Sequence, residues 1–218
     1  MNKSGQSRSP STSRLILVPA LIAVAITVLR AFGEVHHWPT PLVNSSVCGK
    51  AILGVVWLVP LFGIYFGLRL FRADSQPRLM ARAGVLAIAS LLLKLGGTVV
   101  MERPGVAYLT RVSLNFALTA LALCLQAVAW PELFKALLAY GYASRIPISV
   151  VEFLAMRGHW GTHYDALDPG FPQIGFWPTY TRVSLVPNIF FMEAYTVVVG
   201  GLFGIFTVAV MRRLKPSF

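Results

Sequence analysis

Acidic side chains are scarce in this chain: eight Asp and Glu in 218 residues, against nineteen Lys and Arg, for a formal net charge of +11. So few carboxylates exclude an acidic binding surface. Charged residues of either sign make up only 12%, too little to solvate the surface of an ordinary soluble domain. Cysteine is nearly absent. Cys48 precedes one apolar run and Cys124 lies inside another. Neither belongs to a Cys-x-x-Cys or Cys/His pattern, which excludes a disulfide scaffold and leaves the redox compartment open. A Gly-rich phosphate loop, a Gly-x-Ser-x-Gly elbow and a His-Glu-x-x-His zinc motif are also missing, so the common signatures of nucleotide, esterase and metalloprotease chemistry do not apply.

What fills the chain instead is apolar: 56% of residues are hydrophobic and the mean hydropathy is +0.68. A spanning helix needs ~20 mostly apolar residues. Six segments approach that length, at about 15–33, 51–68, 83–101, 112–130, 136–156 and 183–211. The expected fold class is therefore all-α: a polytopic integral membrane protein, a bundle of about six transmembrane helices in one domain, 15–211. A Ser-rich basic stretch, 1–14, reads as a disordered tail, and 212–218 as a basic C-terminal tail. A basic start before an apolar run also resembles a signal peptide. The small-residue pattern Ala23–Ala25 falls inside the run and no clean site follows it, so an uncleaved span is favoured. Pro60 in the second segment predicts a kink. The fifth segment, interrupted by Arg145, Pro147 and Glu152, is the weakest span.

Orientation follows from the basic residues, which flank apolar runs and so point to a membrane and not to nucleic acid. With the N-terminus in the cytoplasm, eleven Lys and Arg fall on the inner side and six on the outer, with Lys94 and Arg145 inside segments. This predicts six spans, both termini cytoplasmic, with a bacterial inner (cytoplasmic) membrane as the expected home and the lipid bilayer as the first partner. The pentapeptide Thr110–Leu114 recurs as Thr181–Leu185. Each copy is expected to open a segment from the outer face, by shared helix-start chemistry or by a three-plus-three duplication. The largest connection, 157–182, is rich in aromatics, Pro and Gly and is expected to pack at the outer interface.

Charges within the bilayer are costly and face protein or a water-filled cavity. There are four, Lys94, Arg145, Glu152 and Glu193, and they sum to zero. The two cations are expected near carboxylates, with Glu152 and Glu193 as leading partners. Polar and small residues accompany them at helical spacing: Ser90, Gly97 and Thr98 with Lys94; Asn115, Thr119 and Gln126; Tyr142 and Ser149 with Arg145 and Glu152; Thr196, Gly200 and Gly204 with Glu193. Lys94, Asn115, Arg145, Glu152 and Glu193 are thus the candidates for a ligand site or ion pathway. All four histidines fall on the outer side. His159, His163 and Asp165 form a His-x3-His-x-Asp stretch that could hold a divalent metal such as zinc if the backbone gathers them. The rival reading is a loop held by hydrogen bonds.

Three function classes remain. One is an outer-facing polar pocket that binds a small ligand or ion, or serves assembly with a protein partner. Another is a small-solute or ion transporter working through the four charges. The third is a membrane-embedded enzyme, with Glu152 or Glu193 as acid or base and His159 or His163 as ligand or base.

Overall fold

The structure, a computed structural model, describes residues 11–47 and 51–214. Most of the two tails, together with Cys48 and Lys50, lies outside the described residues. The fold is all-helical: α1 Thr12–Val35, α2 Leu58–Arg72, α3 Met80–Met101, α4 Tyr108–Ala129, α5 Pro131–Gly158, the short α6 Phe176–Tyr180, two π-helical stretches Thr181–Leu185 and Pro187–Met192, and α7 Glu193–Leu214. Among the described residues, four helical stretches are long and apolar enough to cross a membrane: Thr12–Val35, Met80–Met101, Tyr108–Ala129 and the run Phe176–Leu214.

The other two expected spans differ for separate reasons. Helix α2 has 15 residues, about 22 Å at 1.5 Å per residue, short of a ~30 Å hydrocarbon core. It begins at Leu58, so 51–57 of that apolar segment is not helical. Pro60 sits in its first turn, where the missing N–H is not needed, and the expected mid-helix kink is absent. Helix α5 is longer than its apolar core, 28 residues with Pro147 inside. Its ends are well specified: Pro131 at the first position, Glu132 in the first turn and Arg157 in the last complement the helix dipole. At the other end of the chain, α1 already includes Thr12–Arg14, part of the stretch expected to be disordered.

The helices belong to two units. The first holds the start of α1 through Leu17, Val59–Ala139, and the chain from Ala194 on; the second holds Val18–Leu58 and Tyr140–Glu193.

In the first unit the packing is inverted relative to a water-soluble bundle. The buried face of α3 is Ala83, Ala87, Ser90 and Gly97, while Val85, Ile88, Leu92, Leu95 and Val99 are exposed. The buried face of α4 is Asn115, Thr119, Ala122, Gln126 and Ala129. Small and polar residues inside with large aliphatics outside is how helices pack when the solvent is lipid. A soluble protein would not present such continuous apolar surface. Ser90 Oγ donates to Ala122 O at 3.1 Å, and Gln126 Nε2 donates to Val198 O at 3.4 Å. A Cβ on Gly67 would lie 2.7 Å from Gly204 O and 2.8 Å from its Cα. Gly63 and Gly200 meet in the same way, so α2 and α7 touch backbone to backbone. Trp130, 1% exposed, donates from Nε1 to Ser75 O at 2.7 Å, and Arg212 donates to Pro77 O at 2.7 Å.

In the second unit Ala31, Ile148, Ala155 and Tyr164 form a buried core, joined by Val55 and Val151. Phe153, Phe176, Trp177 and Tyr180 pack ring against ring, with Phe153 at 5.4 Å from Phe176 and 5.5 Å from Tyr180. Phe153 belongs to α5, and Phe176, Trp177 and Tyr180 belong to the aromatic connection 157–182. Helix α5 takes its start, through Gly158, and α6 and the first π-helical residues take its end. The two copies of the pentapeptide also part company. The first lies in the opening turns of α4, where Arg111 Nη1 donates to Met101 O at 3.0 Å and so closes the C-terminus of α3. The second is π-helical and follows α6 within a continuous helical run, so it opens nothing.

Candidate functional site

The second unit encloses a cavity of about 510 Å³. Its walls carry Arg30 from α1, Arg145 and Glu152 from α5, His163 and Tyr164 from the loop after α5, and Asn188 from the second π-helical stretch. Two hydrogen-bonded sets organise these groups.

The first set is centred on Glu34, which is 1% exposed. Arg30 and Glu34 are one helical turn apart on α1, a spacing that puts them on one face. Arg30 Nε donates to Glu34 at 2.7 Å, and Arg30 Nη2 donates to Asn44 O at 3.3 Å. The same carboxylate accepts twice from His163, from the backbone N–H at 2.7 Å and from ring Nδ1 at 2.8 Å. A carboxylate paired with a guanidinium only accepts. Nδ1 therefore carries the ring proton, and Nε2 carries the lone pair. Burial pulls the ring below the ordinary imidazole value. The Glu34 bond opposes this and the Arg30 charge reinforces it, so the ring is neutral at neutral pH. Beside it, 3.8 Å between ring centroids, Tyr164 donates its hydroxyl to Thr27 O at 3.2 Å. Burial raises the phenol well above its ordinary value, and it stays protonated.

The second set is centred on Glu152. Ser184 Oγ and Asn188 Nδ2 both donate to its Oε2, the latter at 2.6 Å. Ser184 and Asn188 come from the two π-helical stretches. A π-helical turn in an otherwise α-helical run is a rare geometry that recurs at functional sites. Arg145 is 4% exposed, and its charge acts on both Glu152 and Glu193. Glu193 is 1% exposed and lies against Gly141, where a Cβ would collide with the carboxylate. Among the described residues neither Glu193 oxygen has a hydrogen-bond partner.

Of the residues singled out in the sequence, Arg145, Glu152 and Glu193 belong to the second unit and the first two line its cavity. Lys94 and Asn115 belong to the first unit. Lys94 is half-buried on α3. Asn115 packs over Gly97 and accepts from Thr119 Oγ1 at 3.4 Å, which makes it a packing residue between α3 and α4. The His-x3-His-x-Asp stretch is pulled three ways. His163 turns to Glu34. Asp165 accepts from Gly161 N at 2.9 Å, from Thr162 N at 2.7 Å and from Thr162 Oγ1 at 2.7 Å. His159 is exposed, at φ +50°. Among the described residues no three His, Cys, Asp or Glu side chains gather in a metal-binding arrangement.

Sequence reasoning missed Arg30, Glu34, Ser184 and Asn188. Each pair was visible as a polar i, i+4 couple beside an apolar run.

Comparison with protein-family models, with known proteins and with solved structures finds no match. The functional reading therefore rests on the chemistry of this cavity.

Proposed function

We propose that the chain is a six-span membrane protein, both termini cytoplasmic, whose second unit binds a small polar ligand in its cavity near the outer face. A bacterial cytoplasmic membrane is the setting this reading takes. The observation that carries it is the gathering of Arg30, Arg145, Glu152, His163 and Asn188 around one space of about 510 Å³. In a chain this poor in charge, polar walls around an open volume go beyond what helix packing requires. The volume falls in the range of small-molecule sites, where a few placed polar groups orient a ligand against otherwise apolar walls.

A transporter working through the intramembrane charges is the second reading. Helix irregularities support it: Pro147 lies between Arg145 and Glu152 on α5, and the π-helical stretches carry the partners of Glu152. Broken helices that present side chains and loosened backbone to a site are a transporter device.

The test is a thermal-shift screen of small solutes against purified protein in detergent. The protein is compared with Ala166→Phe, which fills the cavity from a wall residue without removing a polar group. Stabilisation of the parent by a solute that leaves Ala166→Phe unmoved is the expected result. Equal responses of both proteins, or none to any solute, would count against a ligand site there. Uptake of the same solute into vesicles would separate transport from binding.

A further inference from the structure

The geometry points to His163 as the hydrogen-bond acceptor of this cavity, positioned by Glu34 so that ring Nε2 meets the O–H of a neutral hydroxyl-bearing ligand. The inference rests on the ligand-binding reading above and deepens it.

Glu34 holds His163 through both its backbone N–H and its ring Nδ1. Two bonds from one residue to one carboxylate fix the ring's position and its tautomer together. Arg30 holds the carboxylate from the other side. Histidine alone in water prefers the Nε2–H form, so the enforced Nδ1–H form is a departure that needs a cause. Glu34 supplies it, in the way a second group orients a catalytic or metal-binding imidazole. The ring is a wall of the cavity, and its remaining nitrogen is an acceptor.

The charges around the space select the ligand. Arg30 is matched by Glu34. Arg145 is faced by two carboxylates, Glu152 and Glu193. Asp168 adds a further carboxylate to the wall. The wall cations thus have carboxyl groups beside them, and an anion would compete with those groups for the same guanidinium donors. Both donors to Glu152 close on Oε2, and its carboxyl group is part of the cavity wall. A cavity with an imidazole lone pair and a carboxylate oxygen asks its ligand for hydrogen-bond donors. A neutral molecule with two or more hydroxyls provides them. The ligand O–H bond stays intact, with its hydrogen directed at the Nε2 lone pair as a hydrogen bond. Asp165 and Arg30 act on the ring in opposite directions.

The experiment is two measurements on full-length protein in detergent. Long-range proton–nitrogen correlation spectra of histidine-labelled protein, at about pH 7.5 where an ordinary imidazole is neutral, report the tautomer of each ring. His163 is assigned by its loss in His163→Asn. Diethyl pyrocarbonate, which acylates an unprotonated accessible imidazole nitrogen, reports the lone pair when the modified peptide is measured by mass spectrometry. The expected result is an Nδ1–H ring at His163 that is acylated. Glu34→Gln should lose the Nδ1–H preference, and Ala166→Phe should keep it while blocking acylation. Glycerol or myo-inositol should slow acylation of His163, and inorganic phosphate should not. An Nε2–H or doubly protonated ring in the parent protein overturns the assignment, whether or not Glu34→Gln folds. So does an unreactive His163 while His36, His37 and His159 react. A folded Glu34→Gln with an unchanged tautomer removes Glu34 as the positioning residue. Protection by phosphate alone, or by none of these solutes, overturns the ligand class. The tautomer is read without any ligand, so its failure is distinct from failure of the cavity to bind.

Discussion

Substituting Glu34 by Ala should be among the most damaging single changes in the second unit. The carboxylate is 1% exposed and accepts from Arg30 Nε, His163 N and His163 Nδ1, all at 2.7–2.8 Å. Its removal leaves the Arg30 guanidinium, 8% exposed, with Asn44 O as its remaining named acceptor at 3.3 Å. Breaking a buried ion pair by removing one partner costs about 3–5 kcal/mol, because the other charge stays buried. On the scale of about 2–4 °C per kcal/mol for chains of this length, the melting point should fall by roughly 6–20 °C. The decisive measurement is a double-mutant cycle in detergent with Glu34→Ala, Arg30→Met and the pair. The guanidinium left buried without its carboxylate is the main penalty, so the double variant should melt above Glu34→Ala. Its coupling should reach at least about 1 kcal/mol, within the usual range for contacting groups. Strictly additive losses would refute the reasoning, as would a Glu34→Ala protein that melts with the parent.

Other outcomes follow from separate features. His163 has its ring value lowered in the folded chain, so its neutral form contributes stability that is fully present above ~6.5, the unfolded value. That contribution is lost as pH falls from there toward the folded value, because the unfolded chain takes up the proton first. Melting curves from about pH 8 to 5.5 should therefore drop more steeply for the parent than for His163→Asn, which keeps a donor toward Glu34 without titrating; parallel curves would contradict this. Gly67→Ala should lower the melting point by the equivalent of about 1–3 kcal/mol, the usual cost of overpacking. Its Cβ would meet Gly204 backbone at 2.7 Å, whereas Gly84→Ala, with nothing within 4 Å, should be neutral or slightly stabilising; equal effects would mean that the α2–α7 approach is looser than described. Reporter fusions after Ser75 and Phe218 should report cytoplasm and one after Asp168 the opposite side, as the basic asymmetry requires; a cytoplasmic signal at Asp168 would end the six-span proposal.

The sequence made the helices legible and left their partners hidden, for a reason that Glu34 and Asp165 illustrate. Hydropathy and periodicity are properties of a continuous segment, so α1, α3, α4 and the last helical run could be recognised within a few residues. The polar inner faces could be read in the same way: Ser90 with Gly97, and Asn115 with Thr119 and Gln126, are buried because lipid gives a polar side chain no partner. Segments two and five were harder because their apolar character and their helical extent do not coincide. The helix takes in Arg69 and Arg72 at the end of α2, and both charged ends of α5. The site belongs to a different order of information. His163 and Glu34 are 129 residues apart, and Glu152 and Asn188 are 36 apart. No spacing rule reaches across such intervals. The local pattern was even misleading, since His159, His163 and Asp165 are near neighbours in the chain that face different partners. A carboxylate two residues along is taken by the nearest backbone N–H groups of a tight loop before it can meet an imidazole. One signal did exist. Acids are so scarce here that one placed a single helical turn after an arginine, at the end of an apolar run, asks for a reason. The cost of burying either charge alone makes a third group beside them the natural expectation. In this fold that group is His163, and its ring stands in the wall of the cavity.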